Sequence, residues 1–371
     1  MNAIKRESKF FVIIALLLNV ISCTHQNGDS SVFSNNVYSI KSEVFLNDTL
    51  LMDPWNILFH DSLIVIANFK AVPLIEIYDT EGRELSKFLT IGQGPEEVLT
   101  VGGLQSSPVN KNLFVYDLFR KSFLEYNLKN FSQPNFKPER VYNYSSFIYN
   151  YQKDSTALFD KLLYGKNYLI GESRDPRGRI VLLDYYGKLI NFVGKYPQNT
   201  NDGLSNYGYV QLYASAFILS DDSYKVALAT YSADMLDIFD ISDTNNPKTL
   251  YSYQNFLPHD LFTFSDKNFS KAAFTKESQQ GYCDITASHE YVFALYSGRK
   301  LKDKNYSYGS KIRVISWDGI KRFELQSDKD LKRIAVTPNN EALYAIAKDD
   351  ENNPIIVIFD IKEIINIINK Q

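Results

Sequence analysis

The stretch Ile75-Glu76-Ile77-Tyr78-Asp79-Thr80-Glu81-Gly82 reads as a β-strand that stops on an aspartate and turns through a glycine. Asp suits that position because its carboxylate bonds the turning backbone, and Gly accepts the positive φ of a tight hairpin. The same pattern returns as Phe123-Leu124-Glu125-Tyr126-Asn127, Ile180-Val181-Leu182-Leu183-Asp184, Leu236-Asp237-Ile238-Phe239-Asp240, Ile312 to Asp318-Gly319, and Ile355 to Asp360. The closing Asp or Asn residues fall at 79, 127, 184, 240, 318 and 360, with intervals of 48, 57, 56, 78 and 42 residues. Most are preceded by a second apolar run, such as Leu63-Ile64-Val65-Ile66-Ala67 or Leu343-Tyr344-Ala345-Ile346-Ala347. Continuous apolar strands imply cover on both faces. Radially stacked sheets supply that cover, and a unit of roughly 40–50 residues with several short strands marks a β-propeller blade. Six units predict six blades.

Ring closure leaves its own trace. The last unit offers only three strands, Leu331 to Thr337, Leu343 to Ala347 and Ile355 to Ile361, so a strand over Ile40 to Leu46 is expected to complete it. Pairing the first strand into the last blade removes an open sheet edge. The expected fold class is all-β, a six-bladed β-propeller over residues 38–371 with an N-terminal strand closing the C-terminal blade. Composition agrees: 26 Tyr and 25 Phe favour strands, and 44% hydrophobic with 22% charged residues describes a globular body. A net charge of -3 excludes the basic surface that nucleic acid requires.

Ahead of the repeats, Lys5, Arg6 and Lys9 precede an apolar run from Phe10 to Leu18, followed by Val20-Ile21-Ser22-Cys23. That is a secretory signal peptide over residues 1–22, too short in its apolar run to span a membrane. The Val-Ile-Ser-Cys sequence resembles a bacterial lipobox, which implies acylation of Cys23 and a membrane anchor. Residues 23–37, small and polar at their start, read as a flexible tether. With Cys23 lipidated, Cys283 has no intrachain partner, and a buried thiol is expected.

Three further segments carry a family resemblance. Ile91-Gly92-Gln93-Gly94-Pro95-Glu96-Glu97-Val98, Leu295-Tyr296-Ser297-Gly298-Arg299 with Val314 to Gly319, and Ala342-Leu343-Tyr344-Ala345-Ile346 together resemble TolB-like six-bladed propeller lipoproteins of the Bacteroides type. The resemblance implies a propeller, a lipid anchor and a cell-envelope location. It implies no reaction and no catalytic residues. Surface-exported relatives of that type carry several acids after the lipidated Cys, whereas only Asp29 stands here, so an outer-membrane position facing the periplasm is expected.

Gly92 to Glu97 lacks the full context of a phosphate loop, a strand before, a helix after and a Lys or Ser/Thr to finish the site. It reads as an inter-blade crossover whose carboxylates meet backbone amides or a basic partner such as Arg299. A functional reading makes Gln93, Glu96, Glu97 and Arg299 binding residues at one mouth of the central channel. Catalytic and metal motifs are missing from the sequence: His25, His60, His259 and His289 show no zinc spacing, no Gly-x-Ser-x-Gly occurs, and Asp349-Asp350-Glu351 and Asp221-Asp222 read as solvated hairpin tips. His60-Asp61 and His259-Asp260 read as solvated loop pairs. No cofactor is called for. The interval from Gln254 to Gln280 is a long aromatic connection, and Asn199 to Tyr213 combines Tyr with Asn and Gly in the manner of sugar- or peptide-binding loops. The favoured function is a non-catalytic binding propeller for a protein, peptide or glycan, held at the membrane through Cys23. The alternative is an envelope enzyme, a hydrolase, lyase or quinoprotein-like dehydrogenase, with a site at the channel mouth assembled from several blades.

Overall fold

The computed structural model describes Phe33 and residues 36–47, 51–69, 71–133, 136–144, 161–173, 175–197, 211–258, 261–266 and 269–371. The expected signal peptide, Cys23 and most of the segment from Asn199 to Tyr213 lie outside the described residues. Strand β1 (Val37–Ile40) and strand β2 (Glu43–Leu46) come first. Blade 1 is β3 (Pro54–His60), β4 (Leu63–Asn68), β5 (Ile75–Tyr78) and β6 (Glu84–Phe88), each paired antiparallel to the next. Blade 2 is β7 (Val101–Ser106), β8 (Leu113–Asp117), β9 (Ser122–Tyr126) and β10 (Arg140–Asn143). Blade 3 is β11 (Leu162–Tyr164), β12 (Leu169–Glu172), β13 (Ile180–Leu183) and β14 (Leu189–Val193). Blade 4 is β15 (Ser215–Leu219), β16 (Lys225–Thr230), β17 (Met235–Asp240) and β18 (Lys248–Gln254).

After a hairpin of β19 (Leu261–Asp266) and β20 (Phe269–Phe274), blade 5 begins with β21 (Tyr282–Ala287), β22 (Tyr291–Tyr296) and β23 (Gly309–Ser316). The 15-residue strand β24 (Arg322–Val336) then serves two blades. Its first part pairs with β23 as the outer strand of blade 5, and its second part, from Leu331, pairs with β25 (Ala342–Lys348) as the inner strand of blade 6. β26 (Pro354–Asp360) and β2 finish blade 6. A terminal helix α1 (Lys362–Lys370) sets Ile365 and Ile368 into the core between blades 5 and 6.

The repeat that identifies the blades has the expected cause. At the end of every third strand the side chain of Asp79, Asn127, Asp184, Asp240, Asp318 or Asp360 accepts the backbone N–H two residues on. Between blades, the middle strands alternate their cover. Ile64 and Ile66 face blade 6, while Val65 and Ala67 face blade 2. One apolar cluster lies at each of the six blade-to-blade contacts, including 5 to 6 and 6 back to 1, so the ring is closed. First strands of neighbouring blades touch, as β3 touches β7 and β24 and β15 touches β21, which places them innermost around the axis. Two buried cations pin neighbouring blades. Arg179 of blade 3 pairs with Asp237 and donates to Ser215 and Thr230 of blade 4. Arg313 of blade 5 pairs with Asp234 of blade 4 and lies 4.0 Å from the Tyr296 ring centroid.

Three expectations change. The closing segment is two strands rather than one: β2 pairs antiparallel with β26, whereas β1 adds in parallel to the outer edge of β24 in blade 5. The break falls at Ser42, whose N–H is taken by Asp328 Oδ1 at 3.0 Å. Phe33, inside the stretch read as tether, is buried between blades 4 and 5 with its ring 5.3 Å from Tyr253. The connection after Gln254 holds the β19–β20 hairpin instead of a loop, in keeping with the β-rich Leu261-Phe262-Thr263-Phe264 sequence.

Because Ile356 is wholly buried between blades 6 and 1, Ile356→Ala should cost ~2–5 kcal/mol in urea denaturation. Val44→Ala, on the exposed side of β2, should stay within ~0.5 kcal/mol. Comparable losses from both would contradict the packing.

Candidate functional site

Antiparallel blades put the fourth-to-first crossovers and the second-to-third loops on one face, and the candidate binding residues lie there. On the crossover between blades 1 and 2, Gly92 N–H donates to Val98 O and Val98 N–H to Thr90 O, both at 3.1 Å. Glu97 folds back so that its Oε2 accepts the Gly94 N–H at 2.7 Å. A Cβ on Gly92 would stand 1.9 Å from that oxygen, so a side chain there would displace the Glu97 carboxylate from its place. Arg120 clamps the loop from blade 2, donating to the carbonyls of Gly92, Gly94 and Glu97 at 2.7–2.9 Å. Gln93 and Glu96 face solvent, and Glu96 approaches Lys137 at 3.5 Å. Arg299 is not the cation of this crossover. It sits in the second-to-third loop of blade 5 and grips Asp330 through two nitrogens at 2.5 and 2.9 Å, while donating to Asn305 O at 3.0 Å. The four candidate binding residues therefore split: Gln93, Glu96 and Glu97 lie on one crossover, and Arg299 belongs to another part of the ring.

Where Arg299 lies there is a cavity of about 480 Å³, between the second-to-third loops of blades 5 and 6 and the middle of β24. Its lining is polar: Asp328, Lys329 and Asp330 from the crossover, Lys348, Asp349 and Asp350 from the hairpin, with Tyr308 and Asn305 opposite. Asp349 is fixed by accepting the N–H groups of Glu351 and Asn353 at 2.9 and 2.8 Å. The Lys348 ammonium lies 5.2 Å from the centre of the Tyr308 ring. Asp349 and Asp350 stand at the tip of the β25–β26 hairpin, as read from the sequence, and from there they line this cavity.

At the axis, ionisable groups from several inner strands gather. Arg333 stacks 4.7 Å from Trp55 of β3 and donates to Cys283 O at 3.2 Å. Asp284 accepts the Ile334 N–H at 2.9 Å, and Lys161 donates to Phe217 O at 2.7 Å. Burial pushes the Lys161 amine down to about 8, against the pull of Asp284, and burial raises the Asp284 carboxyl. Burial also drives the Cys283 thiol up to about 12, so it is a packing residue and no nucleophile at neutral pH. Among the described residues no group of three or more His, Cys, Asp and Glu is placed to hold a metal. His60, read as a solvated loop residue, instead closes β3 and is 4% exposed, with its pKa lowered by burial. His289 is exposed and pairs with Asp221, and His259 lies outside the described residues.

Sequence reasoning missed Arg120, Asp330, Lys161 and Asp284. None stands in a local motif, since each acts on a partner far along the chain.

Removing the Glu97 carboxylate leaves the Gly94 amide without its acceptor, so Glu97→Ala should lower stability by ~1–3 kcal/mol. Glu96→Ala should be near neutral by thermal melts, and equal effects would contradict the loop geometry. Lys161 yields a pH signature. The unfolded amine stays charged to about 10.5 while the folded one loses its proton near 8, so the cost of burying the cation is full below pH 8 and fades as pH rises to 10.5. Lys161→Met should therefore raise Tm at pH 7, with the gain shrinking between pH 8 and 10.5. A gain independent of pH contradicts this assignment.

A family model described as TolB-like 6-blade propeller-like matches residues 32–339. Among solved structures, a member of the DUF4221 family from Bacteroides vulgatus superimposes with a TM-score of 0.56 at 14% identity, covering 86% of this chain and 97% of that one. A Bacteroides fragilis protein designated as exported gives a TM-score of 0.50 at 11% identity, covering 87% and 98%. Both likenesses are of fold. A stretch of 81 residues is 36% identical to histidinol dehydrogenase of Photobacterium profundum, and the chain spans only 18% of that enzyme's length. The six blades, their closure and the family match over most of the length agree: the chain belongs to the TolB-like six-bladed propeller family.

Proposed function

We propose that the chain is a lipid-anchored cell-envelope protein whose propeller binds a ligand on its crossover face without transforming it. The observation that carries this reading is the open cavity of about 480 Å³ between blades 5 and 6, whose polar groups are positioned by the fold itself. Ligand sites of small molecules occupy roughly 300–1,000 Å³. The extracytoplasmic location is supported by the signal-peptide pattern before Cys23 and by the exported relative. Among the described residues no helix is long and apolar enough to cross a membrane, and attachment in this reading is through the acyl group of Cys23. Partners of the cavity class are a peptide, a glycan or an exposed protein loop.

A second reading, an envelope enzyme, is favoured by one observation: Lys161 and Asp284, both shifted toward neutral forms by burial, share the axis with Arg333. Paired groups with opposed shifts are what proton-transfer chemistry uses.

Three measurements test the proposal. Mass spectrometry of the wild-type protein should show an acylated N-terminal Cys23, and Cys23→Ala should move the protein from the membrane to the soluble fraction. Thermal melts of the full-length protein in detergent against peptides, oligosaccharides and purified envelope proteins should find a ligand that raises Tm and is recovered unchanged. Recovery of a chemically altered ligand, with turnover lost in Lys161→Met, would replace the binding reading with the enzyme.

A further inference from the structure

We infer that the cavity between blades 5 and 6 is a subsite for an uncharged saccharide; this rests on the binding reading above and names its ligand class. The lining mixes charges of both signs along both edges. Asp328-Lys329-Asp330 runs along the crossover and Lys348-Asp349-Asp350 along the hairpin. Lys329 and Lys348 stand against four carboxylates, one of which, Asp330, is neutralised by its ion pair with Arg299 outside the lining, so little net charge remains. No large field of one sign favours an ion. A phosphate or uronate would face four carboxylates, and a polycation would face two lysines and an Asp330 already taken by Arg299.

What the cavity offers is closely spaced acceptors and donors together. A sugar hydroxyl is the group that uses both, because it donates one O–H and accepts on two lone pairs. Three of the four carboxylates are also held in place before any ligand arrives. Arg299 grips both oxygens of Asp330, the backbone of residues 351 and 353 holds Asp349, and the Ser42 N–H holds Asp328. Carboxylates fixed in this way keep further lone pairs for a ligand and lose little side-chain entropy when it binds. Tyr308 supplies the single aromatic ring, a body against which the C–H face of a pyranose can rest while its hydroxyls reach the carboxylates. A peptide segment would need a deep aliphatic or aromatic anchor pocket, and this lining has none. The Ser42 contact adds a structural consequence: the turn between the two closing strands forms part of the support of the site, so the ring closure and the subsite share a residue.

The test uses the full-length protein in detergent, with maltohexaose, cellohexaose and mannohexaose as neutral probes, a galacturonate hexamer as the anionic probe and trilysine as the cationic one. Titration calorimetry compares the wild type with Asp350→Ala combined with Asn352→Gly. Both residues are exposed on the hairpin, and Asn352 already has φ +70°, a conformation glycine adopts freely, so the variant should melt with the wild type. The expected result is binding of at least one neutral hexasaccharide, weakened tenfold or more in the double variant. Preference for galacturonate or trilysine with the same dependence on the two residues overturns the saccharide class and leaves a binding propeller standing. Neutral binding that is unchanged in the variant overturns the site. Failure of all five probes overturns the inference, and the binding reading falls with it only if the wider panel of peptides and envelope proteins is also silent.

Discussion

Everything in this structure depends on middle strands that are buried on both faces. A strand such as Leu63–Asn68 sends Ile64 and Ile66 against one neighbouring blade and Val65 and Ala67 against the other, so neither blade has a finished core without its neighbours. Each fully buried aliphatic side chain contributes roughly 1.5–3 kcal/mol, and that gain is shared across a blade interface instead of inside a blade. The consequence is closure. An open arc would leave one face of each terminal blade exposed, and the N-terminal strands on blades 5 and 6, together with Leu46 and Leu51 in the 6-to-1 cluster, prevent it.

This constraint also made the fold legible. Because both faces are covered, the strands are continuously apolar, and because each third strand ends in a turn, an Asp or Asn caps it and marks the period. Those are local signals, and they identify six blades. The parts that sequence reading did not resolve have different physics. Phe33 follows a polar stretch and is buried only because blades 4 and 5 leave an aromatic slot beside Arg313. The division of the closing segment at Ser42 depends on Asp328, 286 residues away. The terminal helix did carry a signal, Ile364, Ile365, Ile367 and Ile368 at helical spacing, which is easily overlooked in a chain dominated by strands.

The candidate site was less legible for the same reason. The glycines and glutamates of Gly92 to Glu97 stand out in the sequence, yet the chemistry of Gly92, Gly94 and Glu97 is spent within their own loop and on Arg120. Arg299 was singled out beside them, but its geometry belongs with Asp330 and the cavity at blades 5 and 6. A propeller assembles such sites from loops of different blades, so the residues that meet are separated by whole repeats. Ion pairs buried between blades, Arg179 with Asp237 and Arg313 with Asp234, look like site chemistry in isolation. Their burial and their pairing across interfaces make them fasteners of the ring, and fix the register in which the crossover loops are presented.

The most direct test of the account is hydrogen exchange of the backbone amides in β2 and β26, read segment by segment by mass spectrometry. If the N-terminal strand closes the ring, Glu43–Leu46 and Pro54–His60 should show slow exchange together with Pro354–Asp360, and should lose protection with it in one step as denaturant is raised. Exchange of Glu43–Leu46 within seconds while Pro354–Asp360 stays protected would contradict closure by that strand, and with it the shared core on which the arrangement of the crossover face depends.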